Sequence, residues 1–567
     1  MKRTSRVLAI LLALAMLLSV TAFAAWDVYG GNPNHNSVVS GAPTNANPSV
    51  TSIDLSNGGR GWDGIDNVPV METVTENGED VTYAYVLYDG YSSYGGQLAK
   101  INCSAATPYV VWRKQVSAAA GFQLSTPYLD TTNRAIYIGA SNASVYNNVA
   151  ISSPVALTAG TAGTVTIGGL SLLTAANRVS VPVYVGHTSV ADRGTLTTEG
   201  TATIQLGGGT AVNLTLSTTQ ASSGTTYKIY EQATYDATGT VNGYDYYYYI
   251  NHSVTASSLT DAILSISVTL NGTGSITSVS MFANKGAVTK VTGIDSTDAS
   301  GVTLTSVVSS VNGQINTPIT RYGNYIYFGT WSGNSRMQYY QVDISGTGFD
   351  AVTYTGKAGF YWAGAVQLGG YIYFGGDSGY LYYQDELGFG EADTYVKLTD
   401  KASDAGNVRS TIMTDGTNLY FTSQGKYLWC YQPDANGVPV YQWHIQLAGT
   451  STSTPTLVQN SDGTTSIYTG YYSGFSAGGV QVTTVSGSTQ TIATVASGFP
   501  VQCSILYSNG YVYFNTNASG GAGYCYNAAT GTQVWATTAD TYALGGMACD
   551  NGIIVFGNDY DHLYVVK

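Results

Sequence analysis

Charged side chains are scarce in this chain of 567 residues, where Asp, Glu, Lys and Arg together make up 10%. Acidic residues outnumber basic ones by 34 to 21, which gives a formal net charge of −13 at pH 7. Proteins that bind polyanions release counterions through patches of lysine and arginine, and this sequence contains no such patch. The composition therefore argues against nucleic acid and anionic membranes as partners.

Histidine is also rare, and its distribution argues against a metal centre. The five histidines lie in separate parts of the sequence, and none belongs to an H-x-x-x-H, H-E-x-x-H or Cys/His pattern. We therefore expect no enzymatic activity, with no catalytic nucleophile, no metal and no cofactor. A glycan-active enzyme would need two carboxylates about 5–10 Å apart. Asp63, Asp66, Asp377 and Asp385 lie near predicted loops, but the sequence cannot pair them.

Cysteine is too infrequent for a disulfide framework, since there are only five. Cys503 and Cys549 occupy matching positions of a repeated unit described below, and so do Cys430 and Cys525. Such recurrence predicts small buried hydrophobic side chains rather than disulfides. A Cys503–Cys549 bridge stays open as an alternative if their Cα atoms lie within about 7 Å.

Long apolar runs are missing beyond the N terminus. The chain starts with Met1, Lys2 and Arg3, continues with an apolar run over residues 7–20, and reaches a small-x-small pattern at 22–24. This order predicts a signal peptide over residues 1–25. No later run is long enough to span a bilayer. We therefore expect a secreted or cell-surface protein without a membrane span.

What the sequence does contain is typical of β-structure. It has 68 glycines and 47 tyrosines. Tyrosine favours strands and glycine favours turns, whereas the Glu-, Lys- and Ala-rich runs typical of helices are few. We expect an all-β protein.

A repeated unit organises the chain. Residues 371–383 alternate aromatic and aliphatic side chains on two short strands joined by a Gly-containing turn, and a small apolar strand precedes them. About eight copies recur at a period of roughly 45 residues, which is typical of four-stranded propeller blades. The second strand of each copy lies at 83–86, 135–139, 325–329, 371–375, 418–421, 466–470, 511–514 and 553–557.

The last copy stops after its third strand, at Lys567. A lone four-stranded sheet cannot bury both of its faces, so the copies are expected to stack in a ring. We predict that residues 52–55 supply the missing outer strand of the last copy and close the ring with chain from both ends.

These motifs resemble the PQQ-like β-propeller repeat, in which Thr-Pro, an I-Y-F/V-G strand, G-x-L-Y and a strand ending in Trp follow one another. The segment from Trp26 to Asn36 is similar to the W-x-x-F/Y-G-G-N-x-x-H-N/T start of that superfamily. The resemblance implies a β-propeller, and the count of copies predicts eight blades, with seven as the alternative. It leaves the function open, because the superfamily includes quinone-dependent dehydrogenases and non-enzymatic scaffolds. The dehydrogenases bind their quinone with a vicinal cysteine pair and a calcium site, and this sequence has no such pair.

One insertion interrupts the second copy. Its short Thr-, Ser-, Gly- and Val-rich strands suggest an immunoglobulin-like β-sandwich. We therefore predict a signal peptide at 1–25, a propeller start with the first blades at 26–142, the inserted sandwich at 143–286, and the remaining blades at 287–567.

Exposed aromatic side chains are the candidate contacts for a partner, because they give a large contact area at low entropic cost. The tyrosine run at 244–249 could form a stacking platform, or could serve as core and edge of a strand. The candidates lie in predicted turns or in the insert: Trp331, Tyr361, Trp362, Tyr471, Tyr472, Tyr246, Tyr247, Tyr248 and Tyr249.

The function expected from these observations is a non-enzymatic, exported scaffold that binds a protein or glycan partner at or outside the cell surface. The alternatives are a PQQ- and calcium-dependent dehydrogenase and a structural component of a surface layer.

Overall fold

The computed structural model describes residues 25–567 except 57–63, 90–95, 117–124, 141–143, 146–150, 152, 173–176, 218–224, 237–240, 255–258, 284, 333–335 and 347. The predicted signal peptide thus lies outside the described residues, apart from Ala25. In the part that is described, no helix has the length and apolar character needed to cross a membrane. The helical segments there are single 3₁₀ turns at Tyr29–Gly31, Val190–Asp192, Ala299–Gly301 and Leu398–Asp400.

Strands make up the rest of the regular structure, and most belong to eight sheets of one pattern, here called sheets 1 to 8 in chain order. The main strands of each sheet form an antiparallel meander, and sheets 7 and 8 each gain one further strand from the N-terminal part of the chain. Two strands precede sheet 1: β1 (Val38–Val39) and β2 (Val50–Asp54). Sheet 1 contains β3 (Val70–Glu76), β4 (Glu79–Tyr88), β5 (Gln97–Asn102) and β6 (Tyr109–Gln115).

Sheet 2 begins with β7 (Tyr128–Asp130) and β8 (Ala135–Ala140) and is completed only after an insertion of eleven strands. The inserted strands are β9 (Ser144–Val145), β10 (Val155–Leu157), β11 (Gly163–Leu172), β12 (Asn177–Ser189), β13 (Gly200–Leu206), β14 (Val212–Leu216), β15 (Thr225–Tyr235), β16 (Val241–Val254), β17 (Leu259–Leu270), β18 (Gly274–Ile276) and β19 (Ser280–Ala283). Sheet 2 then resumes with β20 (Lys285–Thr292), which pairs with β8, and ends with β21 (Thr303–Asn312).

The remaining sheets follow without interruption. Sheet 3 contains β22 (Gln314–Ile315), β23 (Thr320–Tyr322), β24 (Tyr325–Trp331), β25 (Gln338–Asp343) and β26 (Ala351–Thr355); sheet 4 contains β27 (Val366–Leu368), β28 (Tyr371–Gly376), β29 (Tyr380–Asp385) and β30 (Tyr395–Lys397); sheet 5 contains β31 (Met413–Thr414), β32 (Leu419–Ser423), β33 (Tyr427–Pro433) and β34 (Pro439–Gln446). Sheet 6 contains β35 (Thr456–Gln459), β36 (Thr465–Ser473), β37 (Ala477–Ser486) and β38 (Thr489–Ser497); sheet 7 contains β39 (Leu506–Ser508), β40 (Tyr511–Asn515), β41 (Gly523–Asn527) and β42 (Gln533–Ala536); sheet 8 contains β43 (Ala548–Asp550), β44 (Ile553–Gly557) and β45 (His562–Val566).

Neighbouring sheets pack face to face, which explains why second strands such as β32 are buried along their whole length. Each consecutive pair of sheets shares a hydrophobic cluster; Tyr327 and Tyr339 of sheet 3, for example, pack with Phe374 of sheet 4. One further cluster joins sheets 7, 8 and 1, so the last sheet packs against the first. Closure of this kind, with the sheets stacked around an axis, is the arrangement of a β-propeller.

The chain closes the ring with a strand from its N-terminal part. β2 pairs antiparallel with β45 and forms the outer strand of sheet 8, with Ser52 opposite Tyr564. The predicted closing strand is therefore confirmed, with bounds shifted by one or two residues. The sequence did not indicate β1, which pairs in parallel with β39 at the inner edge of sheet 7.

A single stretch at the N terminus, residues 26–55, contacts all eight sheets, and we call it the N-terminal strap. His35 is buried in it, with its ring nitrogens 2.7 and 2.8 Å from the carbonyl oxygens of Tyr29 and Ala365. From sheet 1 to sheet 8, the strap's contacts are Trp26 with Met71, Asp27 with Leu129, Pro33 with Tyr322, His35 with Ala365, Asn34 with Thr414, Asn36 with Leu457, β1 with β39, and β2 with β45.

The recurring threonine in front of the first strand links sheets 2, 5 and 6 to the sheet before each of them. The N–H of Val68 donates to Thr126 Oγ1 at 3.1 Å, and the N–H of Thr411 donates to Thr454 Oγ1 at 3.0 Å. Gly364 N–H makes the equivalent bond to Thr411. The threonine of the repeat motif thus accepts a hydrogen bond from the neighbouring sheet.

The insert forms two antiparallel sheets of its own, one containing β12, β15 and β16 and the other containing β11, β13, β14 and β17. Side chains from both sheets share one hydrophobic cluster, which includes Val181, Tyr248 and Ile266.

All five cysteines are buried free thiols. The Cys503–Cys549 bridge does not form, and the two side chains act as small apolar groups next to the axis.

We expect Thr454→Val to lower the free energy of unfolding by about 1–3 kcal/mol, because it leaves the buried N–H of Thr411 without an acceptor. It also removes the hydrogen bond that Thr454 shares with Tyr29 of the strap. Urea unfolding measures the effect. Thr454→Ser keeps the hydroxyl and is the control; equal destabilisation by both variants would contradict the assignment.

Candidate ligand-binding well

A cavity lies where the first strands of the sheets converge on the axis. Its inner part, about 40 Å³, contacts residues that precede the first strand in all eight sheets. An adjoining outer part of about 310 Å³ shares Asp66, Trp362, Gln502 and Leu544 with it. We call both parts together the axial well. Tyr29 of the strap lines the inner part, so the strap closes that end.

One position of the repeat builds much of the wall. The residue two places before the threonine position lines the well in six of the eight sheets. These residues are Asp66, Trp362, Arg409, Thr452, Gln502 and Leu544. The repeat therefore fixes where these side chains point, while their chemistry differs from sheet to sheet.

Aromatic side chains surround the outer part of the well. Phe475 is 57% exposed and meets the ring of Tyr542 edge-on at 5.6 Å between centroids. Tyr472 is half-buried, and its hydroxyl accepts a hydrogen bond of 3.2 Å from Gln424. Burial raises the pKa of Tyr472, so this phenol stays neutral at pH 7 and can donate a hydrogen bond.

A fixed arginine forms one side of the wall. Arg409 makes a two-point ion pair with Asp377, with N–O distances of 2.8 Å from both Nε and Nη2. The guanidinium carbon lies 4.7 Å from the centroid of the Tyr361 ring. Trp331 Nε1 donates to the same carboxylate at 3.1 Å. Sheets 3, 4 and 5 are thereby tied together beside the well.

The electrostatics of this group keep Arg409 charged and Tyr361 neutral. Burial alone would lower the pKa of Arg409, but the hydrogen bonds and charge of Asp377 raise it. Burial raises the pKa of Tyr361 to about 12. The wall therefore presents a permanent cation flanked by aromatic faces.

Trp362 has an unusual backbone for its size. Its φ is +57°, in the left-handed region that bulky residues seldom adopt. Its carbonyl accepts hydrogen bonds from the N–H of Gly364 at 2.9 Å and from the hydroxyl of Thr411 at 3.2 Å. The indole is half-buried and lines both parts of the well.

Polar groups complete the lining. Asp66, Asn517 and Asp559 are buried and Gln502 is half-buried. Asp559 lies in the turn at 558–561, where Asn558 Oδ1 accepts from the N–H groups of Tyr560 and His562. The well thus offers both hydrogen-bond donors and acceptors.

Four of the predicted contact residues come together here. Trp331, Tyr361 and Trp362 form a chain of ring contacts, with centroids 5.1 and 4.9 Å apart. Tyr472 lines the outer part of the well together with Trp362, and it lies close enough to Tyr361 and Arg409 to influence the pKa values of both. Tyr471, its neighbour on β36, does not line the well; its side chain lies next to Gly449.

The tyrosine run of the insert lies apart from the well. Tyr246, Tyr248 and Tyr249 are buried, and Tyr247 is half-buried. Tyr246 and Tyr248 belong to the hydrophobic cluster between the two insert sheets. These rings therefore pack in the core of the insert or along its strands, and three of the four offer no exposed face on which a partner could stack.

Sequence reasoning missed Arg409, Phe475 and Tyr542. Aligning the repeats on their threonine would have found Arg409, because it occupies the same repeat position as Trp362. Phe475 lies in the turn directly after β36, and Tyr542 lies in the segment before β43. Their approach across the axis follows from ring closure, which no local pattern encodes.

The acidic candidates for a glycan-active enzyme do not form one group. Asp66 lines the well, and Asp377 holds Arg409. Asp385 caps a turn by accepting from the N–H groups of Leu387 and Gly388. Asp63 lies outside the described residues.

Residues 474–478 read Gly-Phe-Ser-Ala-Gly, which corrects the expectation that no hydrolase nucleophile motif occurs. Nucleophile elbows lie between a strand and a helix. This segment instead forms the hairpin turn between β36 and β37, so the spacing has no catalytic context.

The lining does not fit the quinone of the dehydrogenases. That cofactor is a polycarboxylate, and in those enzymes it needs a calcium site and a vicinal cysteine pair. Here Asp66 and Asp559 are acidic, and the guanidinium of Arg409 is already paired with Asp377. Within the described ranges, no three His, Cys, Asp or Glu side chains are grouped so as to hold a metal ion.

Comparisons with known proteins add no functional assignment. No family model and no curated protein matches the chain. A europium-containing methanol dehydrogenase is similar over 96% of this chain and 89% of its own, with a TM-score of 0.42 and 9% identity. The designed protein Ika8 covers 47% of this chain and 89% of its own, with a TM-score of 0.27 and 12% identity. The WD40 propeller domain of Doa1 covers 45% and 93%, with a TM-score of 0.25 and 10% identity.

We expect Asp377→Asn to lower the free energy of unfolding by about 3 kcal/mol, because it leaves the partly buried guanidinium of Arg409 without its counter-charge. Asp393 pairs with Lys357 at a more exposed place, with 54% of its side chain accessible. Asp393→Asn should therefore change stability by less than about 1 kcal/mol. Urea unfolding compares the two variants, and equal effects would contradict a structural role for the Asp377 pair.

Proposed function

We propose that this chain is an exported, non-enzymatic scaffold that binds a glycan partner at or outside the cell surface, in the axial well of an eight-bladed propeller. The observation that carries the proposal is the lining of the outer well. Half-exposed aromatic faces stand there beside both donors and acceptors of hydrogen bonds.

Sugar rings need this combination. Their C–H faces stack on aromatic side chains, and each hydroxyl both donates and accepts a hydrogen bond. Tyr472, Phe475 and Tyr542 supply the faces, and Gln502, Asn517 and Asp559 supply the polar partners.

The size of the well favours a small ligand over a protein. An outer volume of about 310 Å³ is at the lower end of the 300–1,000 Å³ typical of small-ligand pockets. A specific protein interface buries roughly 800 Å² on each partner, far more than this depression offers. The ligand would be the end of a glycan chain.

The domain organisation proposed with this function follows the predicted bounds of 26–142, 143–286 and 287–567, except that β20 returns the chain to sheet 2 from Lys285. The pair of antiparallel sheets around one cluster supports an immunoglobulin-like sandwich in the insert. The N-terminal sequence pattern supports export.

A glycan array with the mature protein from residue 26 identifies ligands, and calorimetry then measures their affinity. We expect Tyr472→Ala to weaken binding about tenfold or more, which corresponds to the loss of roughly 1.4 kcal/mol of contact energy. Tyr471→Ala is the matched control, because this tyrosine adjoins Tyr472 but faces away from the well. Equal effects of the two variants would place the ligand elsewhere.

Thermal unfolding with PQQ and Ca²⁺ tests the dehydrogenase alternative. A ligand at a hundredfold excess over its Kd stabilises the folded state by about 2.7 kcal/mol. We expect no change in Tm, and a clear rise would overturn the non-enzymatic assignment.

A further inference from the structure

Trp362 is the one lining residue of the well with a bulky side chain on a left-handed backbone. Its φ of +57° suits glycine, and for a bulky residue it is a conformational outlier. The other five residues at the same repeat position in the well do not share a positive φ: Asp66, Arg409, Thr452, Gln502 and Leu544. The repeat itself therefore does not impose this conformation.

The hydrogen bonds around Trp362 hold the backbone but do not require an indole. Its carbonyl accepts from Gly364 and from the Thr411 hydroxyl, and any residue could supply that carbonyl. Thr411 is buried and also accepts from the N–H of Gly364, so its hydroxyl fixes both sides of the bend. A glycine would meet every one of these contacts with less strain.

The position of the indole indicates a role for the strained backbone. Trp362 lines both the inner and the outer part of the well, and its ring lies 4.9 Å from Tyr361 at the end of the aromatic wall. Strained backbone persists where the surroundings over-determine it, and it concentrates at binding sites.

We propose that Trp362 is the main stacking platform for the sugar, next to the faces of Tyr472, Phe475 and Tyr542, and that its left-handed backbone is strain retained for binding rather than for folding. This inference rests on the proposed function, because it assigns the stacking platform of the same well. It makes Trp362 the residue that determines which ring fits.

Three substitutions separate binding from folding. Trp362→Ala removes the ring and keeps the strain, Trp362→Gly removes both, and Trp362→Phe keeps a stacking face. We expect Trp362→Ala and Trp362→Gly to bind the glycan found on the array at least tenfold more weakly than the wild type. Trp362→Phe should lose less affinity, because it keeps an aromatic face. We also expect a higher Tm for Trp362→Gly than for Trp362→Ala. Tyr361 lacks a positive φ, so at that position the glycine variant should have a lower Tm than the alanine variant.

The outcomes distinguish this inference from the proposed function. If the wild type binds a glycan that Tyr472→Ala weakens, while Trp362→Gly binds it like the wild type, the platform assignment is wrong and the function stands. A Tm for Trp362→Ala at or above that of Trp362→Gly would contradict the inference that the backbone of Trp362 is strained. If the wild type binds no glycan, the proposed function fails and the platform fails with it.

Discussion

The N-terminal strap is the constraint on which the rest of the structure depends. Residues 26–55 contact every sheet in turn, and their last strand completes sheet 8. Each sheet is small and has two apolar faces, so it is stable only between neighbours. A ring of such sheets needs a last contact that joins its ends, and β2 provides that contact with backbone hydrogen bonds. The buried His35 and the shared hydrogen bond between Tyr29 and Thr454 fix the strap against the inner strands.

The strap also lines one end of the axial well. Tyr29 lines the inner part of the axial well, whereas Phe475 and Tyr542 line the outer part. The repeat holds the side chains that line the well at equivalent positions of successive sheets. Its threonine makes hydrogen bonds between neighbouring sheets at three interfaces, while the residue two places earlier lines the well in six sheets and differs in chemistry among them. Positions that join the sheets and positions that line the well are thus separated by two residues within one motif.

Much of the fold could be read from local patterns. Alternating residues such as those of β28 gave the strands, their recurrence gave the propeller, and the missing outer strand of the last copy led to β2. The candidate site was predicted only in part. Trp331, Tyr361, Trp362 and Tyr472 were found as aromatic residues in turns, but the same criterion also selected Tyr471 and the tyrosines of β16, whose neighbours in space make them core or edge residues.

The sequence by itself determined the class of fold, the repeat and its closure, because strand periodicity and turn residues act over a few neighbours along the chain. Only the tertiary structure decided which side chains meet at the axis. Arg409, Phe475 and Tyr542 belong to different sheets, and their approach depends on the geometry of the closed ring. The carbonyl of Trp362 likewise accepts a hydrogen bond from Thr411 in the next sheet, a contact that joins residues 49 positions apart.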